Sequence, residues 1–223
     1  MAIEIQFPDP EQSDDDGLVA VGGNLSLEFL LPAYSQGLFP WFNEGDPILW
    51  WSPNPRMVLY PHKFKSSKTL KQVLNRKVFT VKVDTNFKQV IKECAAAKRT
   101  KQQGTWITKE MQEAYINLHH EGYAHSFETY LDEKLVGGLY GVSLGKAFFG
   151  ESMFFRVNNA SKVALYHLKE LLIKWDFSFI DVQQSTRHLK SLGAEDLDRA
   201  HYLKILKESL NFPTRREKWD MNF

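Results

Sequence analysis

Cysteine is almost missing from this chain. Cys94 is the one cysteine among 223 residues, so no internal disulfide can form. A reducing, cytoplasmic setting is the expectation, and Cys94, in helical step with Val90 and Ile91, reads as a small buried side chain. Long apolar runs are missing too: nothing approaches the ~20 residues that a membrane span needs. The first residues (MAIEIQFPDPEQSDDDG) lack the basic start and apolar stretch of a signal peptide. Neither HExxH nor a thiolate pair accompanies His119, His120 and His125, so no metal site is expected. One GxSxG string occurs, Gly141-Val142-Ser143-Leu144-Gly145, but it runs from a strand into a hairpin turn and not into a helix, so it makes no nucleophile elbow. Charge of one sign is not in excess either, with 28 Lys plus Arg against 27 Asp plus Glu. Total charge therefore names no polyanion partner, while a local basic face stays open.

What is present is a globular composition, 43% hydrophobic and 25% charged, enough for a sizeable core. Two regions differ in texture. Residues 1–61 are rich in Pro, Gly and aromatics and read as a small N-terminal α+β domain. It holds a strand from Leu18 to Val21, a turn at Gly22-Gly23-Asn24, and a short helix capped by Ser26 and ending near Gly37. The aromatic words Leu38-Phe39-Pro40-Trp41-Phe42 and Ile48-Leu49-Trp50-Trp51 follow, and most of these rings read as core. Residues 62–223 read as a second domain. It opens on a basic segment, 62–77, holding Lys63, Lys65, Lys68, Lys71, Arg76 and Lys77 with no acid among them; Lys98, Arg99 and Lys101 form a second cluster. Charge runs are usually solvated faces, but beside tryptophans they suit the phosphates and unpaired bases of a single-stranded nucleic-acid end.

Periodicity then predicts a strand over 78–83 and two helices, on Phe87, Val90, Ile91, Cys94 and on Met111, Ala114, Tyr115, Leu118. A three-strand meander covers 126–131, 134–142 and 146–154. A long helix carries Ala164, Leu165, Leu168, Leu171, Leu172 and Trp175; a strand over 177–182 and a helix over 199–210 close the chain. The class is α+β (mixed α/β), and the order β-α-α-β-β-β-α-β-α is that of the GNAT acyltransferase fold, an analogy of fold alone.

Glu151 lies in an otherwise apolar part of Gly150–Lys162 (GESMFFRVNNASK), and Asp181 and Gln183 end the strand-like run Phe179-Ile180-Asp181-Val182-Gln183. Burying either acid unpaired costs several kcal/mol or moves its pKa. Each acid therefore needs an ion pair, for which Arg156 and Lys162 are at hand, or a task. Acetyltransferases of the GNAT order carry a glycine-rich pyrophosphate turn before the long helix. The same place here reads Arg156-Val157-Asn158-Asn159-Ala160-Ser161-Lys162, without glycine, which disfavours coenzyme A; helix N-terminal amides there still suit an anion.

Many uncommon words occur in sequence. They include Gly17-Leu18-Val19-Ala20-Val21-Gly22-Gly23, Gly37-Leu38-Phe39-Pro40-Trp41-Phe42, Trp50-Trp51-Ser52-Pro53-Asn54-Pro55-Arg56 and Gly104-Thr105-Trp106-Ile107-Thr108. After them come Ala124-His125-Ser126, Val136-Gly137-Gly138-Leu139-Tyr140-Gly141-Val142, Gly150-Glu151-Ser152-Met153-Phe154 and Asn159-Ala160-Ser161-Lys162. Ile180-Asp181-Val182-Gln183 and His188-Leu189-Lys190-Ser191-Leu192-Gly193-Ala194 complete the set. Together they resemble the leucyl/phenylalanyl-tRNA–protein transferase family over residues 17–202. Asn54 stands where that family often has an acid, Phe155 where it often has a small residue, and the tail after 210 is unmatched.

The resemblance implies transfer of Leu or Phe, with Met tolerated, from aminoacyl-tRNA to the N-terminal Arg or Lys of proteins or peptides, marking them for the N-degron route. The ester is already activated, so no cofactor is expected, and no membrane partner. By resemblance, Trp41 and Trp106 sandwich the terminal adenine of the tRNA. Leu139, Phe148, Met153, Leu165, Leu168, Leu172 and Ile180 form the aminoacyl pocket. Asp181, Gln183 and Glu151 line the reaction centre, and the lysines and arginine of 62–77 follow tRNA phosphates. Two other readings compete. An acetyl-CoA-dependent N-acetyltransferase shares the element order, and a non-catalytic RNA-binding module explains lysines and tryptophans but leaves the two acids without purpose.

Overall fold

A computed structural model describes residues 5–97 and 105–221 of the chain. A small sheet of β1 (Leu18–Val21), β2 (Phe39–Pro40) and β3 (Leu49–Trp51), in the order β1-β3-β2, sits beside α1 (Leu27–Ser35). The chain then enters a larger sheet with β4 (Arg56–Leu59), passes through α2 (Lys68–Asn75), β5 (Thr80–Val83), α3 (Phe87–Ala96) and α4 (Lys109–His120), and reaches the meander β6 (Ala124–Leu131), β7 (Lys134–Leu144), β8 (Ala147–Phe155). It ends with α5 (Ala160–Lys174), β9 (Phe179–Gln183), α6 (Arg187–Ser191), β10 (Glu195–Leu197) and α7 (Arg199–Ser209). The seven strands of the larger sheet lie in the order β10-β4-β9-β8-β7-β6-β5. Every pairing in it is antiparallel except β8 with β9.

Local chemistry explains the joints. Asp132 and Glu133 both have positive φ, 47° and 61°, the twist that closes a two-residue hairpin between β6 and β7. Ser67, Thr108, Thr186 and Asp198 each accept a backbone N–H of the first turn of α2, α4, α6 and α7, satisfying donors the helix leaves open. The meander, the long helix and the following strand lie where periodicity predicts them, to within a residue or two.

The structure adds elements that the sequence reading lacks. Residues 62–77 read only as a basic segment, yet α2 forms there, its charges solvated and Leu70 buried beneath. Between β9 and α7 lie α6 and β10, too short to show a period. The strand β4 precedes the expected boundary at residue 61, yet it hydrogen bonds to β9 and β10 inside the larger sheet. Its four residues are all buried, so no alternation announces it.

The larger sheet separates two packed clusters. One holds Leu30, Tyr34, Trp50, Phe87, Met111, Tyr115, Phe149 and Tyr202; the other holds Phe127, Leu139, Phe148, Leu165, Leu168, Ile180 and Trp219. Neighbours Phe148 and Phe149 fall in different clusters, as the period of a strand requires.

Candidate active site

Strands β8 and β9 pair only through Ala147↔Phe179, Phe148↔Ile180 and Phe149↔Asp181. Beyond that point β8 stays with β7 while β9 stays with β4, so the two parallel strands part. A bulge marks each side of the parting. Opposite Tyr140-Gly141 the chain places Ser152 and Gly150, leaving Glu151 as the extra residue. Opposite Met57-Val58 it places Gln183 and Asp181, leaving Val182 extra. Bulges re-aim side chains, and here the result is a contact across the parting: Gln183 Nε2 donates to Glu151 Oε1 at 3.0 Å. Gln183 itself has a positive φ of 64°, a cost to a non-glycine residue of order 1 kcal/mol. Its backbone N–H, bonded to Asp181 Oδ1 at 2.9 Å, helps hold it there.

Asp181 is fully buried and paired with Arg56, Nε to Oδ1 at 2.9 Å and Nη2 to Oδ2 at 2.7 Å. Tyr202 Oη donates to Oδ2 at 2.8 Å. The guanidinium lies 4.8 Å from the ring centre of Phe39 and 4.5 Å from that of Tyr202. Burial pushes Arg56 toward losing its proton, but the Asp181 carboxylate outweighs this and holds it more firmly protonated than usual. Arg56 Nη1 is buried without a partner among the described residues.

Glu151 has no such counter-charge. Oε1 accepts from Tyr34 Oη at 2.7 Å and Oε2 from Tyr115 Oη at 3.0 Å, and the two phenols also touch each other. Burial drives the Glu151 carboxyl up to about 7; the phenols of Tyr34 and Tyr115 and the Gln183 amide oppose the rise, and the Asp181 charge adds to it. Two phenolic protons serve three oxygen–oxygen contacts, so the cluster has room for one more proton, which the carboxyl holds below that pH. Burial, then the Glu151 charge, pushes both phenols well above their ordinary range, keeping them donors.

Two cavities open near the ends of β9 and β8, and neither is lined by Glu151, Asp181 or Gln183 themselves. One, of about 470 Å³, is walled by Phe39, Trp41, Trp51, Asp15, Asp16 and, directly after Gln183, by Gln184 and Ser185. The other, of about 440 Å³, lies beyond Glu151 at the end of β8 and the start of α5. Among the described residues no three His, Cys, Asp or Glu side chains gather as a metal site would need, and no helix is long and apolar enough to cross a membrane.

The family model described as leucyl/phenylalanyl-tRNA protein transferase matches residues 58–207, and the model for the N-terminal domain of the same family matches 23–54. This chain belongs to that family. A leucyl/phenylalanyl-tRNA–protein transferase of Desulfatibacillum aliphaticivorans is 54% identical over 97% of this chain and 93% of its own. One from Legionella pneumophila (strain Corby) is 52% identical over 97% and 96%, and one from Myxococcus xanthus 51% over 96% and 91%. Among solved structures, an aminoglycoside acetyltransferase from a soil metagenome overlays 68% of this chain and 96% of its own, at 14% identity and a TM-score of 0.39.

Set against the residues that family resemblance singles out, the structure gathers some and separates others. Glu151, Asp181 and Gln183 come together. Leu139, Phe148, Leu165, Leu168, Leu172 and Ile180 share one buried cluster with Met153 at its margin. Trp41 lines the cavity beside Gln184, whereas Trp106 does not; it is half-buried and packs on the adjoining core. Lys65, Lys68, Lys71, Arg76 and Lys77 are exposed. Lys63 is also exposed but bonds Glu195 at 2.9 Å. Lys98, Arg99 and Lys101 lie outside the described residues. Phe155 is 62% exposed and faces the second cavity, not the buried cluster. The acids' expected partners, Arg156 and Lys162, are not used by them: Arg156 pairs with Glu93 at 2.6 Å. Arg56, Tyr34, Tyr115 and Tyr202 were missed as site residues. A tyrosine on an apolar helix face needs a partner for its hydroxyl, and that was the available signal for Tyr115.

Proposed function

We propose that this chain transfers Leu or Phe, with Met tolerated, from aminoacyl-tRNA to the N-terminal Arg or Lys of proteins in the cytoplasm, creating N-degrons. The observation that carries this reading is the Gln183–Glu151 bridge over the parting of β8 and β9, with an aliphatic cluster on one side and a tryptophan-walled cavity on the other. In the reaction the acceptor α-amine attacks the ester carbonyl. The C–N bond forms, the ribose oxygen leaves with the electron pair of the broken C–O bond, and one proton of the neutral amine ends on that oxygen as the ribose hydroxyl. An α-amine has a pKa of about 7.7–8.0, so deprotonating it at pH 7 costs only ~1 kcal/mol. Holding amine and ester together is then the main demand, and orientation alone recovers several kcal/mol.

Asp181 is a positioning residue, since Arg56, Tyr202 and the Gln183 backbone occupy its oxygens. Gln183 gives its amide N–H to Glu151, which turns its Oε1, hydrogen bonded to no described residue, toward the incoming amine. Glu151, once it ionises above about pH 7, supplies the negative charge that favours a cationic group. The aliphatic cluster takes the Leu or Phe side chain, worth roughly 1.5–3 kcal/mol, and Trp41, in the wall of its cavity, stacks the terminal adenine at ~1–3 kcal/mol. The exposed lysines from 65 to 77 meet tRNA phosphates, so affinity falls as salt rises.

Transfer of radiolabelled Leu from tRNA to an Arg-initiated peptide, with a Gly-initiated control, tests the proposal. Label on the Arg peptide alone supports it. Label on neither, or on both equally, overturns it.

A further inference from the structure

The second cavity has a composition of its own. Phe155 ends β8 on one side, His188 of α6 stands on the other, and Asn158, Asn159, Ser161 and Lys162 form its floor at the N-terminus of α5. No carboxylate lines it. The first-turn amides of Ser161 and Lys162 have no backbone acceptor among the described residues, and Asn159 gives no side-chain cap. A 15-residue helix thus presents free N–H groups and the positive end of its dipole to the cavity. A second, independent observation comes from Ser161. Its side chain lines the cavity, only 6% of the residue is exposed, and its hydroxyl bonds to no described residue. The hydroxyl is not sealed in the interior but open to the cavity, where it is free to hydrogen bond a ligand. Lys162 is likewise in no ion pair among the described residues, and it lies close enough to His188 to help hold that ring neutral, after burial as the first cause.

We propose that this cavity binds a phosphate of the tRNA 3′ end, the one joined to the 5′ oxygen of the terminal adenosine. The inference rests on the function proposed above. Its place in the fold is consistent with that: Ser161 lies one helical turn before Leu165 of the aliphatic cluster, and Phe155 lies four residues, roughly 13 Å of extended strand, after Glu151. A phosphate there anchors the donor next to the carbonyl under attack, through Ser161 Oγ, two backbone amides and the Lys162 ammonium. Phe155 adds an exposed ring at the rim.

The test compares two minimal donors with an Arg-initiated peptide as acceptor: 3′-O-phenylalanyl-adenosine and the same compound with a 5′-phosphate. In the unaltered protein the phosphate lowers KM by about tenfold. In Lys162→Met the ratio of the two KM values falls toward one, and Ser161→Ala reduces it about threefold. The proposal is overturned if the unaltered protein shows equal KM values, or if both variants keep the full ratio. Failure of the unaltered protein to use either donor overturns the transferase reading and this site together, whereas transfer without phosphate discrimination overturns the site alone. Circular dichroism and urea midpoints of the variants keep a folding defect from being mistaken for the effect.

Discussion

Asp181 and Glu151 stand on neighbouring strands, both nearly inaccessible at 0 and 9% exposure, and both touch Gln183. They solve the problem of burial in opposite ways. Asp181 is neutralised by a two-pronged ion pair to Arg56 and capped by Tyr202. Glu151 receives only neutral donors, two phenols and an amide, and so its proton is held up to about 7. One acid is fixed and shapes the backbone of Gln183. The other changes charge in the range where the enzyme must handle an amine. A buried carboxylate is therefore not one kind of residue: the counter-ion decides whether it is scaffold or switch.

The largest test of that contrast is Arg56→Met, which strands a buried carboxylate and is expected to cost about 3–5 kcal/mol in urea unfolding. Adding Asp181→Leu should return most of the loss, whereas a cost below about 1 kcal/mol for the single change would show that the pair is not what holds Asp181.

Next is the pH dependence set by Glu151. Its folded-state pKa is raised, so the folded protein binds more protons than the unfolded chain between pH ~4.5 and ~7. The stabilisation is complete below the lower value and is lost as pH rises through the upper one. The fall is on the order of 3 kcal/mol. Glu151→Gln should abolish that fall; equal slopes in the two proteins would contradict it.

A smaller effect is expected from Tyr115→Phe, which removes one donor from Glu151 Oε2. It should raise the carboxyl further and cost about 1–2 kcal/mol at pH 8, read from unfolding at both ends of the range. Smallest is Lys63→Ala. Its pair with Glu195 is exposed on both sides and should cost no more than about 1 kcal/mol, a surface control for the buried Arg56 pair.

Much of this arrangement was readable in the chain. An acid in an apolar strand and an acid two residues before a glutamine stood out as residues needing a partner or a task, the family resemblance put them in one centre, and helical spacing put Leu165, Leu168 and Leu172 on one stripe. Three things escaped. Arg56 lies 125 residues from Asp181, and only the adjacency of β4 and β9 makes them partners, so nearer Arg156 and Lys162 looked better placed. The bulges at Glu151 and Val182 arise from pairing between strands, which no single-strand pattern encodes. Tyr34 and Tyr115 belong to helices whose apolar faces hide them among core residues until the carboxylate they serve is in view.

The most direct test of the central claim is a carbon-13 NMR titration of the glutamate carboxyls in the uniformly labelled protein, with Glu151→Gln for assignment. One carboxyl should titrate with a midpoint near pH 7 and vanish in the variant. A Glu151 resonance that titrates with the exposed glutamates, near 4.5, would contradict the account.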